Sequence, residues 1–204
     1  FRFFRARRVG VGKSPVLAMR VSYVGELGWE LHHPLEHQTV LYDLLHEAGA
    51  DLGLVDFGYR ALDSMRLEKA YRLWGADMSA DWSPLQAGLE RLVAWDKGDF
   101  IGRDALLRER EEGSTHTLSC LEIEATVADA HGGEPIWADA DRPVAYVSAG
   151  GYGHTLEKSL ALAYLPVAYA DFGTRLEVGL HSERRAAVVT EQPLHDPKGA
   201  RLIG

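Results

Sequence analysis

"SYVGELGWEL", Ser22–Leu31, is the stretch on which the reading of this chain turns. Glu26 and Glu30 flank Leu27, Gly28 and Trp29 inside what otherwise reads as extended chain. A buried acid costs free energy unless a partner meets it, so these acids either lie on a solvated turn or hold something. Upstream, from Val16 to Val24, apolar and polar residues partly alternate, with Leu17, Met19, Val21 and Tyr23 on one side. Alternation of that kind predicts a strand. Gly25–Gly28 breaks it, and Trp29–His33 predicts a second short strand stopped by Pro34. On this strand Trp29 and Leu31 share one face, and Glu30 and His32 share the other.

Working outward, the period changes. Val40, Leu41, Leu44, Leu45 and Ala48 form a helical stripe that ends at Gly49. A second helix is expected over 56–71, with Asp56, Arg60, Asp63, Ser64 and Leu67 near one face. A third is expected at "SPLQ", where Ser83 is an N-cap, Pro84 takes the first helical position and Gln86 closes a capping box. A short fourth covers 103–111. Beyond Gly113 the segments 115–127, 142–149, 158–165, 176–180 and 186–190 read as strands, with "GGYGH" as a tight turn between two of them. The expected fold class is α+β, with residues 1–113 mixed and residues 114–204 forming an antiparallel β-barrel or sandwich.

Composition narrows the function. A formal net charge of −8 argues against a broad nucleic-acid or anionic-membrane surface, though not against a local basic pocket for a small anion. Cys120 is the single cysteine, so no intrachain disulfide forms and a cytoplasmic or matrix setting is expected. No apolar run is long enough for a transmembrane helix. His32, His33 and His37 cluster without a metal-ligand spacing, so no metal site is expected. The chain opens on "FRFFRARR" rather than on Met, and reads as part of a longer protein that begins within a domain.

A carboxylate can accept two parallel N–H bonds from a planar amidine-like edge, and an aromatic neighbour offers a face to a flat ring. Glu30, beside Trp29, can serve that chemistry; it can equally pair with Arg60 or stand in water. Arg60 has Asp56 four residues before it and Asp63 three after, which is ordinary helix-surface pairing.

Taken together, "SYVGELGWEL", "FGYRALDSMRLEKAYRLWGADMSADWSPLQAGLERLVAWDKGDFIGRDALL", "GGYGHTLEKSLALAYLP" and "EQPLHDPKGARL" resemble the folate-binding aminomethyltransferase family. They are most similar to its branch in the C-terminal folate region of dimethylglycine and sarcosine dehydrogenases. The resemblance covers the chain from about Val16 onward. It implies a partial aminomethyltransferase folate-binding fold over 1–113, followed by a C-terminal barrel over 114–204. It also implies tetrahydrofolate as cofactor and three cofactor-binding residues. Glu30 accepts from the pterin amino and ring N–H groups, and Tyr23, seven residues earlier (30 − 23 = 7), lines the ring. Arg60 donates to ring or glutamyl-tail acceptors, and Glu26 belongs to a supporting turn.

The family's catalytic aspartate lies a domain upstream of the glutamate, whereas only 29 residues precede Glu30 here. No catalytic residue is therefore expected in this chain, and the chain alone is expected to be inactive. The implied parent oxidises an N-methyl amine with FAD, and folate takes the one-carbon unit as 5,10-methylenetetrahydrofolate. FAD is bound by the parent only, since no strand–turn–helix fingerprint opens here. Expected partners are folate and the N-terminal part of the same parent, and the fragment is expected to self-associate through exposed apolar surface.

Overall fold

In the computed structural model, residues 1–139 and 141–203 are described, and they cluster into two compact units. One comprises residues 1–63 with 196–204, and the other residues 64–195.

The first unit is built on a three-stranded antiparallel sheet of β1 (Ala6–Val11), β2 (Ser14–Met19) and β3 (Glu30–His32), in that order. The strand expected over 16–24 is real only to Met19. Its buried face carries Ser14, Val16 and Ala18, one residue out of phase with the Leu17–Met19 side. β1 was not expected. Its residues are exposed on both sides except at half-buried Val11, so no alternation marks it, and it lies at the sheet edge. Arg20 follows β2 directly and is 3% exposed. It donates to the carbonyls of Gly28 (3.2 Å) and Leu202 (3.1 Å), its guanidinium lying 5.5 Å from the centre of the Trp29 ring.

Helix α1 (Gln38–Gly49) buries only Leu41 and Gly49. Val40, Leu45, Leu52, Val55, Phe57 and Tyr59 of this unit remain exposed. Helix α2 (Tyr59–Glu68) is shorter than the expected 56–71 at both ends. The amides of Ala61 and Leu62 donate to the Gly58 carbonyl, which makes Gly58 the entry point and leaves Asp56 outside. At the other end Tyr71 N bonds to Arg66 O and Ala70 N to Leu67 O, with Ala70 at φ 51°. That is a left-handed stop of the kind glycine usually makes.

In the second unit, β4 (His116–Ile123), β5 (Pro135–Trp137), β6 (Ala145–Gly153), β7 (Lys158–Pro166), β8 (Arg175–Leu180) and β9 (Glu183–Thr190) close into a barrel of order β4-β7-β6-β5-β8-β9. Every ladder is antiparallel. The interior is filled by Leu121, Ile123, Ile136, Val147, Leu165, Leu176 and Val178, with Ala145, Ala161, Ala163 and Ala187 where space is short. Alternating large and small side chains is how a narrow barrel packs without a lumen. The outer face of β4 and β7 is covered too, because Leu118, Cys120, Leu162 and Tyr164 pack against Leu67, Ala70 and Ala87. Burial on both faces explains why β7 reads as a near-continuous apolar run. Each large aliphatic side chain buried there stabilises by about 1.5–3 kcal/mol.

Two expectations in this unit are corrected. At "SPLQ" the capping box closes, with Gln86 N on Ser83 Oγ (3.1 Å) and Ser83 N on Gln86 Oε1 (3.0 Å). No helix follows beyond a turn: Gly88 sits at φ 66°, and the Gln86 carbonyl is taken by Leu118 N at 2.8 Å. "GGYGH" is not the turn, for Gly150, Gly151 and Gly153 lie within β6. A Cβ on Gly150 would stand 2.6 Å from the Ala130 carbonyl oxygen, and one on Gly153 3.0 Å from Glu68 Oε1. These glycines permit close approach in a strand, and the reversal comes at residues 154–157. The short helix α3 (Arg103–Glu112) matches expectation to one residue.

Candidate functional site

The three candidate residues all fall in the first unit. Tyr23 is half-buried in the bend over residues 23–27, Glu30 is the first residue of β3, and Arg60 is exposed in the first turn of α2. The bend is tightly built. A Cβ on Gly28 would meet the Val21 carbonyl oxygen and Ser22 Cβ at 3.0 Å each, and Ser22 Oγ accepts from Val24 N at 3.3 Å. Arg201 Nε, on the C-terminal helix α4 (Ala200–Ile203), lies 2.8 Å from both carboxylate oxygens of Glu26. That contact, a hydrogen bond first and a charge attraction second, raises the Arg201 pKa. Glu26 is thus a tether for the bend, and the two acids of the opening stretch have separate environments.

Glu30 is open. Its side chain is half exposed, and it meets His32 Nε2, 3.2 Å from Oε2, rather than Arg60. The neighbouring Trp29 ring is exposed and stands edge-on to Phe1 at 4.5 Å. The expected pairing of Arg60 with Asp56 is replaced. Asp56 Oδ2 accepts from Tyr42 OH at 2.6 Å, and its Oδ1 lies 3.1 Å from His46 Nε2. The Tyr42 hydrogen bond, then that of His46, lowers the Asp56 pKa, and the same bond raises that of Tyr42. Nothing in the linear pattern signals this cluster, because Tyr42 and His46 lie one helical turn apart and Asp56 is supplied by a loop.

The second unit carries a buried polar cluster that no motif signals. Asp77 is fully buried. Its Oδ2 accepts from Arg66 Nη1 (2.5 Å) and Leu73 N (2.9 Å), and its Oδ1 accepts from Ser148 Oγ (2.5 Å). Tyr164 OH donates to the Asp77 carbonyl at 2.6 Å, while the Tyr164 ring stacks on Trp82 at 3.9 Å. Glu68 Oε1 accepts from Thr155 N (2.6 Å) and Leu156 N (3.0 Å). Both acids lie inside the fold and are met by protein donors, three at Asp77 and two at Glu68 Oε1. Burial raises the Cys120 pKa to about 11, so at neutral pH it is a thiol facing apolar neighbours and no nucleophile. Among the described residues no group of three or more His, Cys, Asp or Glu could hold a metal ion, and no helix is long and apolar enough to cross a membrane.

A sheet, a helical segment and a closed six-stranded antiparallel barrel in this order define the aminomethyltransferase-like fold. The GCVT N-terminal domain matches residues 1–97, and the glycine cleavage T-protein C-terminal barrel domain matches residues 116–196. The chain belongs to the glycine-cleavage T-protein (aminomethyltransferase) family. It is homologous to two kinds of enzyme within that family. It is 40% identical to mouse mitochondrial dimethylglycine dehydrogenase over 99% of this chain and 24% of that protein. It is 35% identical to an aminomethyltransferase of Caldanaerobacter subterraneus subsp. tengcongensis, over 93% of this chain and 50% of that one. The crystal structure of aminomethyltransferase T from Bartonella henselae superposes with a TM-score of 0.86 at 25% identity, covering 97% of this chain and 54% of that chain. The chain therefore spans about a quarter of the dehydrogenase relatives and about half of the aminomethyltransferases.

Proposed function

We propose that this chain is the tetrahydrofolate-binding C-terminal portion of a dimethylglycine or sarcosine dehydrogenase-like enzyme. The observation that carries the reading is Glu30. It offers a carboxylate on an open strand face, one oxygen engaged only by an exposed histidine, within a chain 40% identical to a dimethylglycine dehydrogenase. An ionised carboxylate has about four acceptor sites, so Glu30 keeps capacity for the paired N–H donors of a pterin edge. Tyr23 lines the ring, and Arg60 donates to ring or tail oxygens. Tetrahydrofolate, when bound, supplies the nitrogens that receive a one-carbon unit. The residues of this chain bind and orient it and limit water access.

The whole parent oxidises an N-methyl amine with FAD, and the product is 5,10-methylenetetrahydrofolate. The antiparallel ladders here support placing FAD, which calls for a parallel βαβ unit, in the rest of the parent. The exposed Val55, Phe57 and Tyr59 suit an interface with that N-terminal part, or self-association when it is absent. A reducing compartment, cytoplasm or matrix, suits a protein with one buried thiol. A second reading, the C-terminal half of a glycine-cleavage aminomethyltransferase, is favoured by the 35% identity to such an enzyme; a parent that binds no flavin selects it.

Calorimetric titration of the full-length protein with a reduced folate, wild type against Glu30→Ala, tests the site. Loss of a charged acceptor for two N–H donors costs about 2–4 kcal/mol, roughly 30- to 1000-fold in Kd. Unchanged affinity removes Glu30 from the site.

A further inference from the structure

The register of the three-stranded sheet places a cation on the same face as Glu30, where the sequence pattern gave no hint of it. Ala6 pairs with Met19, which pairs with Glu30; Arg8 pairs with Leu17, which pairs with His32. Residues directly opposite in an antiparallel sheet point to one side, as do residues two apart on a strand. Glu30, His32, Met19, Leu17, Ala6, Arg8 and Gly10 therefore share one face. The opposite face carries the buried Val16 and Ala18.

The face with Glu30 is open. Leu17 and Met19 are half-buried, and Arg8, Glu30 and His32 are exposed. On β1, Arg8 stands between Ala6 and Gly10, so nothing large on its own strand screens it. Among the described residues no acid pairs with Arg8. From strand spacing and rise per residue, the Cα atoms of Glu30 and Arg8 stand about 12 Å apart across the sheet. Between them lie the thioether of Met19, directly beside Glu30, and then the isobutyl group of Leu17.

We infer that this face orients an elongated ligand, with a flat donor-bearing ring at Glu30 over Met19 and an anionic end toward Arg8. The inference rests on the folate reading and adds a direction and a residue to it: Arg8 binds a carboxylate of the glutamyl tail. A thioether beside the ring edge is a favourable neighbour for an aromatic system, and a guanidinium matches a carboxylate in a two-pronged contact. The basic run to which Arg8 belongs thereby acquires a use in a chain of net charge −8.

The test uses the full-length protein with two probes, tetrahydrofolate and the same molecule with both glutamyl carboxylates converted to amides. Arg8→Ala is expected to weaken tetrahydrofolate about fivefold, the size of an exposed charge pair, and to leave the diamide unchanged. Arg8→Lys is expected to recover part of the loss, and added salt to diminish it. Glu30→Ala is expected to weaken both probes alike. Equal loss on both probes with Arg8→Ala, or no loss on either, overturns the orientation while leaving Glu30 standing. Failure of the wild type to bind tetrahydrofolate overturns the folate reading itself, and Arg8 with it.

Discussion

Removal of the Asp77 carboxylate should cost as much as deleting a large side chain from the barrel core. Asp77→Ala strips the acceptor from Arg66 Nη1, Leu73 N and Ser148 Oγ at once, around side chains that are 2% exposed for Arg66 and 0% for Asp77. Breaking a buried ion pair from one side costs about 3–5 kcal/mol, because the remaining charge is left without compensation. Against a typical total of about 5–15 kcal/mol, that is a large part of the stability of the fold. Asp77→Asn keeps the volume and one carbonyl acceptor, so about half that loss is expected. Arg66→Met alone leaves a buried carboxylate that retains two donors. Combined with Asp77→Ala it removes both charges, so the pair should cost at least about 2 kcal/mol less than the sum of the singles. Urea unfolding followed by tryptophan fluorescence, at low and high salt, measures all four variants. Additivity within about 0.5 kcal/mol would refute the claim that the two charges are coupled, as would a loss that disappears in salt.

Two further outcomes are expected. The phenol of Tyr42 titrates above its ordinary value because Asp56 holds its hydrogen; the stability this adds is present below pH 10 and lost as pH rises through the folded value. Ultraviolet titration should show the phenol return toward pH 10 in Asp56→Asn, and no change in that variant would exclude the bond. Gly150→Ala should destabilise by about 1–3 kcal/mol, since its Cβ meets the Ala130 backbone at 2.6 Å, whereas Gly58→Ala, with nothing within 4 Å, should be neutral or slightly stabilising. Equal thermal midpoints for these two variants would show that β6 adjusts freely.

Local chemistry was legible where one element alone decided it, and not where a distant one intervened. The capping box at Ser83 was read correctly as a pair of hydrogen bonds, but the helix it announced is stopped by Gly88 and by β4 claiming the Gln86 carbonyl. The strand holding Glu30, and the sharing of its face with His32, followed from period and Pro34 alone. β1 is silent in the sequence because an exposed edge strand has no buried face to impose alternation, and the placement of Arg8 is silent with it. Asp56 matches the helical spacing of α2 but does not join it, since the groups that hold it belong to α1. The family resemblance is carried by ordered blocks of sequence, among them "RLEKAYRLWG", whose charged side chains Arg66, Glu68, Lys69 and Arg72 all hydrogen-bond within the fold.

Glu68 bears on what counts as a module here. Its carboxylate holds the amides of Thr155 and Leu156, so the reversal that joins β6 to β7 is fastened by a residue more than eighty positions upstream, outside the barrel's own stretch of sequence. A gene segment covering only 116–196 would encode six strands and leave that fastening behind. The smallest transplantable piece begins before Arg66, and a recombination event that separates the two would yield a barrel with a loosened hairpin. The β6–β7 ladder itself is local, so in folding it is the Glu68 contact, closing a loop of more than eighty residues, that is expected to come late.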